Sequence, residues 1–197
     1  FHTNFKLNKE GEQIIISRAL PNEPELFIPE GAYWKFLDDG SDQGTEWTTL
    51  GFDDSYWNGG FAELGYGDND ETTTVGYGQD EDNKYITTYF RHQFLVDDPI
   101  YFQSIQIRIK RDDGAVVFLN GDEIYRSNLP EGNIFYNTLA SNTVSGNDED
   151  SFFAQTISDI ELQNGENLIA VEIHQADENS SDISFDLELK GLGFYNI

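Results

Sequence analysis

The sequence predicts an all-β protein, and three observations support this fold class. Several short segments alternate apolar and polar residues as strands do, and the clearest is Ser104 to Lys110, where isoleucines alternate with polar residues. Turn-forming residues separate these segments, and Asn120-Gly121 predicts a tight hairpin. No stretch keeps a helical period for more than about two turns. Many short strands with turns between them are typical of a β-sandwich or barrel.

The strands are expected in two regions of the chain. Residues 1–17 read as two short strands, and Pro21, Pro24 and Pro29 then indicate a linker or an extended edge segment. The main domain begins near Ala32, and its Gly- and Asp-rich residues 38–84 predict long loops with brief strands. We therefore divide the chain into residues 1–31 and a sandwich over residues 32–197. The other strands of the sandwich are expected at 33–37, 85–94, 104–110, 115–119, 123–125, 152–157, 168–173 and 183–189.

Composition excludes several functions. The chain has 37 acidic and 11 basic residues and a net charge of -26, which disfavours nucleic acids and anionic membranes as partners. The excess acid is explained by solubility in a salty environment, by calcium binding or by a cationic partner, and the sequence leaves all three open. Without cysteine, the chain has no disulfide, thiol nucleophile or zinc–thiolate site. No run of apolar residues is long enough to predict a membrane span. The chain begins at Phe1 without a signal-peptide pattern, and we expect a fragment of a longer precursor.

Two blocks carry a resemblance to a known family. The segment RDDGAVVFLNGDEIY, from Arg111 to Tyr125, and NGENLIAVEIHQ, from Asn164 to Gln175, resemble neighbouring core elements of the sugar-binding jelly-roll domain of family 2 glycoside hydrolases. More widely, residues 33–191 resemble the galactose-binding-domain-like superfamily. The resemblance implies a jelly-roll β-sandwich in a multidomain secreted or cell-surface bacterial protein. It says little about which ligand is bound, because many functions share this architecture. Residues 1–17 also resemble the last strands of a lamin-tail-type domain; the alternative is that they pair with the main sandwich.

Acidic loops are the candidates for calcium. Asp38, Asp39 and Asp42 offer closely spaced oxygen ligands, although Thr49 stands where an EF-hand loop has its Glu. The resemblance implies a structural calcium between such a loop and the last strand, where Asp186 or Glu188 would complete the site. Plain Asx turns are the alternative. Residues 65–71 (GYGDNDE) have three possible interpretations, which are a second calcium loop, a ligand loop and a solvated loop.

Aromatic and basic residues near loops are the candidates for a sugar ligand. Trp34 and Trp57 are expected in the core, and the sequence leaves undecided whether Trp47 is buried or exposed. Aromatic residues in or next to loops are better stacking platforms for a sugar: Tyr66, Tyr77, Tyr85, Phe135 and Tyr136. Basic residues at strand ends could bind an acidic polysaccharide or pair with neighbouring acids. Asp112-Asp113-Gly114 is either a ligand site or a tight turn. The predicted ligand-binding set is Tyr66, Tyr77, Lys84, Tyr85, Arg91, Arg111, Asp112, His174 and Gln175.

Catalytic motifs are absent from the sequence. The chain has neither an H-E-x-x-H zinc motif nor a G-x-S-x-G nucleophile elbow, and its many acids make any carboxylate pair uninformative. We predict a non-catalytic carbohydrate-binding module of a larger protein, stabilised by calcium and binding a polysaccharide. The alternative is a calcium-stiffened structural or adhesion module that has no sugar ligand.

Overall fold

The protein is a two-layer sandwich of β-sheets, as a computed structural model that describes residues 23–193 shows. The strands are β1 Glu25–Ile28, β2 Tyr33–Leu37, β3 Asn58–Phe61, β4 Leu64–Tyr66, β5 Thr73–Thr74, β6 Thr87–Val96, β7 Phe102–Asp112, β8 Gly114–Leu119, β9 Asp122–Ser127, β10 Phe153–Ser158, β11 Gly165–His174 and β12 Ile183–Gly193. Sheet A has the strand order β10-β7-β12-β4-β5, with β1 paired to β12, and sheet B has the order β3-β2-β6-β11-β8-β9.

The all-β prediction is confirmed, and the main core lies between the sheets. Ile105, Ile107 and Ile109 of β7 are completely buried, as their alternation with polar residues predicts. Phe90 of β6 stacks on Phe185 of β12, with ring centroids 4.1 Å apart. The burial of these large apolar side chains is the main contribution to the stability of the sandwich.

The β8–β9 hairpin confirms the turn prediction. Asn120 and Gly121 both have positive φ angles, of 53° and 105°. A two-residue hairpin turn whose twist matches that of the strands requires this conformation at both positions, and Asn-Gly adopts it most readily.

The first described strand pairs with the sandwich, which fits the extended edge segment that the sequence analysis gave as one of two interpretations of the Pro-rich residues. Glu25 and Leu26 of β1 pair with Gly191 and Lys190 of β12 in an antiparallel ladder. The two strands expected over residues 1–17 lie outside the described residues. Within residues 23–193 the helical elements are short 3₁₀ turns, and none is long and apolar enough to cross a membrane.

A second, smaller core covers the outer face of sheet B. The loop from residue 38 to residue 57 crosses this face and buries Trp47 and Trp57 against Tyr89 of β6. The rings of Trp47 and Tyr89 meet edge to face, with centroids 4.8 Å apart. Trp34, by contrast, lies in the main core, so the expected core positions of Trp34 and Trp57 are confirmed and Trp47 joins them.

Candidate ligand-binding cleft

An open cleft lies on the outer face of sheet B, beside the second core. Its volume is about 630 Å³, which is within the range of small-molecule and sugar sites. One wall is the loop around residues 42–48, the other wall is the segment 132–136, and the floor is formed by side chains of β6, β8 and β11. We call this feature the outer cleft; the residues that matter most are Asp42, Trp47, Tyr89, Phe118, Glu123, Arg126, Phe135, Tyr136 and Glu172.

Arg91 fixes the first wall. Its side chain is 1% exposed, and its Nε donates a hydrogen bond to Asp54 at 2.8 Å. Its Nη1 donates to the carbonyl oxygens of Trp47 and Thr49. The guanidinium also lies over the ring of Phe52. A buried cation on β6 thus satisfies the backbone of a loop that has no sheet partners of its own.

The second wall is held at both of its ends. At the β9 end, the guanidinium of Arg126 forms a two-pronged ion pair with Glu123 and also donates from Nη1 to the carbonyl oxygens of Pro130 and Gly132. At the β11 end, Nδ1 of His174 donates to the carbonyl oxygen of Thr138 at 2.7 Å. The segment between these anchors is therefore positioned by side chains of the rigid sheet.

Two aromatic residues form the rim of this wall. Phe135 and Tyr136 are 62% and 41% exposed, and they are consecutive in the chain. The hydroxyl of Thr87 donates to the carbonyl oxygen of Tyr136 at 2.6 Å, which fixes the backbone beneath the two rings. Exposed rings on an anchored backbone are suitable platforms for the C–H faces of a sugar.

A carboxylate lies at the floor between the walls. Glu172 is 7% exposed, and among the described residues its only close polar contact is Nε2 of His174 at 3.6 Å, which is too long for a hydrogen bond. Burial and the carboxylate of Glu172 raise the pKa of the neighbouring Tyr89 phenol, which stays neutral. The floor therefore offers carboxylate oxygens that can accept hydrogen bonds from a ligand.

The cleft is negatively charged overall. Asp42, Glu123 and Glu172 line it together with a single base, Arg126, and that base is already paired with Glu123. Such a lining attracts hydroxyl donors and repels carboxylates and sulfates.

Most of the nine predicted ligand residues are buried and do not gather in one open site. Six of them are at most 7% exposed: Tyr66, Arg91, Arg111, Asp112, His174 and Gln175. Arg111 donates to Ser127 and to the carbonyl oxygen of Asp113, so, like Arg91, it has local partners. The remaining three, Tyr77, Lys84 and Tyr85, are half-buried; Nζ of Lys84 lies 5.5 Å from the ring centroid of Tyr77 and donates to the carbonyl oxygen of Ser180.

The five carboxylates predicted to bind calcium do not form a compact group of ligand atoms among the described residues, and each accepts hydrogen bonds from protein donors. Asp39 and Asp42 each accept a hydrogen bond from the amide two residues ahead, which is the Asx-turn alternative, and Asp38 accepts one from Gly76. On β12, Asp186 accepts from the amides of Gly31 and Leu187. Glu188 accepts from Arg108 and Lys190.

Sequence reasoning missed the floor of the cleft. Glu172 stands inside the apolar run LIAVEIH, where a single acid in a buried strand is unusual. That signal could have marked Glu172 as functional, because a buried carboxylate is costly without a cation or a ligand.

Comparisons with known proteins give a structural likeness only. No family model and no curated protein matches this sequence. Two structures of β-glucuronidases from Bacteroides uniformis, one of them covalently bound to cyclophellitol-6-carboxylate aziridine, are 14% and 16% identical and have TM-scores of 0.55 and 0.54. A β-glucuronidase from Ruminococcus gnavus in complex with D-glucuronic acid is 11% identical with a TM-score of 0.52.

The matches cover most of this chain but only a small part of the chains to which it is similar. They cover 87–90% of this chain but only 18–31% of the glucuronidase chains. At such identities the likeness shows the fold alone: this chain is a β-sandwich similar in fold to one part of those larger enzymes.

Proposed function

We propose that this chain is a non-catalytic carbohydrate-binding module of a larger secreted bacterial protein, and that the outer cleft binds a segment of a neutral polysaccharide. The observation that carries the proposal is the arrangement of Phe135 and Tyr136 above Glu172. Exposed rings on one wall and a buried carboxylate without a hydrogen-bond donor on the floor match the two faces of a sugar, which are apolar C–H groups and hydroxyls.

The charge of the cleft favours a neutral glycan over the acidic one that the basic residues had indicated. Arg91 and Arg111 are buried with partners, whereas Asp42, Glu123 and Glu172 face the cleft. A uronic acid or sulfate placed there would meet like charges in a partly desolvated site, where repulsion is strongest.

The comparisons support a modular role. The chain corresponds to less than a third of the glucuronidases that share its fold, as expected for an accessory domain attached to other domains. Affinity of about 1 µM to 1 mM for each site would be sufficient for such a domain, because attachment to a second domain raises the effective concentration of the polysaccharide.

The test is a screen of the 197-residue chain against soluble polysaccharides by affinity gel electrophoresis and calorimetry. The panel includes neutral glucans, xylans, mannans and galactans, and acidic alginate and polygalacturonate. We expect saturable binding to one neutral class, and we expect Phe135→Ala and Tyr136→Ala each to weaken it about tenfold. Phe61→Ala is the matched control, because Phe61 is 57% exposed on β3 and does not line the cleft.

Other results would contradict the proposal. Binding only to acidic glycans, or binding that Phe61→Ala weakens as much as Phe135→Ala does, would place the ligand elsewhere. No binding to any polysaccharide would favour the structural or adhesion module.

A further inference from the structure

Acidic side chains converge at one end of sheet A. Tyr66 of β4 pairs with Ile183 of β12, and Asp112 of β7 pairs with Ser184, so the ends of these three strands lie side by side. Asp68 follows β4 and Asp182 precedes β12, which brings both of them to this end. Gly67 allows the close approach: a β-carbon at position 67 would lie 2.6 Å from Cβ of Asp182.

A fourth carboxylate comes from a separate loop. Glu149 follows the 3₁₀ turn Gly146–Asp148, and an open cleft of about 490 Å³ separates the segments 143–149 and 177–182. Glu149 and Asp182 both line that cleft. We call Asp68, Asp112, Glu149 and Asp182 the end cluster.

Asp113 anchors the two loops on either side of the cleft. Its carboxylate oxygens accept hydrogen bonds from the amides of Val144 and Ala176, at 2.6 and 2.7 Å. Asp113 is completely buried next to the end of β7. Its two hydrogen bonds therefore hold the segments that carry Glu149 and Asp182 against the sheet. The end cluster therefore has a rigid base, as a binding site requires.

The end cluster is a concentration of negative charge. Burial, Asp182 and further carboxylates raise the pKa of Asp68 to about 6. Burial and Asp182 also raise the pKa of Glu149. The guanidinium of Arg111, which is near Asp112, is already engaged by Ser127 and the carbonyl oxygen of Asp113. The cluster thus lacks a basic side chain dedicated to neutralising it among the described residues.

Carboxylates on surface loops often need no ion, but two buried oxygens here also lack partners. Oδ1 of Asp112 and Oε1 of Gln175 accept no hydrogen bond, and the two residues are 2% and 1% exposed. Asp112 lies at the same end of the sheet, because it pairs with Ser184, two residues after Asp182. Nε2 of Gln175 donates to Tyr66 and to the carbonyl oxygen of Asp182, which places this amide at the same end.

Buried oxygens without donors are costly, and a bound cation removes that cost. We propose that the end cluster binds one calcium ion through Asp68, Asp182 and Glu149, above the buried oxygens of Asp112 and Gln175. Calcium takes six to eight oxygen ligands in a flexible geometry and accepts such a mixed set of carboxylates and amide oxygen. Among the described residues, the carboxylates whose oxygens already lie within 4.8 Å of one another are Asp68, Asp70 and Glu71, so ion binding would draw the side chains of Asp182 and Glu149 towards this loop. This site is distinct from the one expected around Asp38 and Asp186.

The test titrates calcium chloride into the chelator-treated chain by calorimetry and follows melting with calcium, magnesium or chelator present. For the wild type we expect one bound calcium, and at a hundredfold excess over Kd a rise in Tm of about 5–10 °C. Asp68→Asn and Asp182→Asn should each weaken calcium binding at least about tenfold. Asp39→Asn is the matched control, because Asp39 forms an Asx turn outside the end cluster, and it should bind like the wild type.

A second readout separates ion binding from a structural role. In chelator, Asp182→Asn should melt at or above the wild-type temperature, because the substitution relieves repulsion among carboxylates. Absence of calcium binding to the wild type would overturn the proposal. Unchanged binding in both variants of the cluster, or loss of binding in Asp39→Asn, would do the same.

Discussion

The imidazole of His174 holds the backbone of Thr138, since its Nδ1 donates to the carbonyl oxygen of Thr138 at 2.7 Å. The same nitrogen lies 3.0 Å from the hydroxyl of Thr87, which in turn donates to the carbonyl oxygen of Tyr136. His174 is completely buried and does not line the outer cleft. Its connection to the outer cleft is therefore indirect, through the position of the aromatic rim.

The first prediction concerns this anchor. His174→Ala should release the segment around Thr138 and weaken glycan binding about tenfold, although no ligand contact is removed. His174→Asn should recover most of the affinity, because the Asn amide can donate to the same carbonyl oxygen. Calorimetry with the neutral polysaccharide identified in the screen measures both variants. Equal losses in the two variants would show that the hydrogen bond to Thr138 is unimportant.

The second prediction concerns the floor of the outer cleft. Glu172→Gln should weaken glycan binding about tenfold, because a charged acceptor of sugar hydroxyls becomes a neutral one. The free energy of unfolding should stay the same or rise, since the substitution removes a nearly buried carboxylate that accepts no hydrogen bond. Urea denaturation and calorimetry on one preparation separate the effects. A clear loss of stability with unchanged affinity would make Glu172 structural.

The sequence predicts those features of the structure that depend on residues close together in the chain, and it predicts contacts between distant segments less well. The isoleucines of β7 and the Asn120-Gly121 turn are read from neighbouring residues, and the structure confirms both predictions. It is harder to predict which face of the sheet a residue at a strand end occupies, because a shift of one residue in register moves its side chain from the core face to the outer face. His174 lies on the outer face of β11, yet a loop covers it, whereas its neighbour Ile173 is in the main core.

The outer cleft could not be predicted because it depends on loops that cross sheet B. Trp47 and Arg91 meet only when the loop that follows β2 folds over β6, and this contact spans more than forty residues of sequence. The basic residues were noticed because the chain is so acidic, but each has local partners: Arg91 pairs with Asp54, whereas Arg111 and Lys84 donate to carbonyl oxygens of neighbouring loops.

The third prediction follows from the clamp at Arg91. Arg91→Ala should lower the free energy of unfolding by about 3 kcal/mol, because it leaves the carbonyl oxygen of Trp47 and the carboxylate of Asp54 without their donor. Arg108→Ala is the matched control on β7. The side chain of Arg108 is 35% exposed and pairs with Glu188, and its loss should cost about 1 kcal/mol or less. Urea denaturation measures both, and equal losses would contradict a clamping role.

The fourth prediction uses two acids of β12 that respond to pH in opposite directions. Burial raises the pKa of Asp186 from 3.8 to about 6, although hydrogen bonds from the amides of Gly31 and Leu187 oppose the shift. Burial acts in the same direction on Glu188, but hydrogen bonds from Lys190 and Arg108 outweigh it and lower that pKa below 4.5.

The two shifts have opposite consequences for stability. Between pH 3.8 and about 6 the folded protein binds the proton of Asp186 more tightly than the unfolded chain does. Its contribution is therefore present at low pH and is lost as the pH rises through about 6. The contribution of Glu188 is present above its unfolded pKa and is lost as the pH falls through its lowered folded pKa. Asp186→Asn should thus gain in Tm relative to the wild type as the pH rises from about 4 to about 7. Glu188→Gln should instead lose in Tm relative to the wild type as the pH rises through its lowered folded pKa to 4.5, and this loss should stay constant at higher pH. Thermal melting in calcium-free buffers at several pH values measures both differences, and parallel curves for the two variants would show that these carboxyl groups do not titrate as their surroundings require.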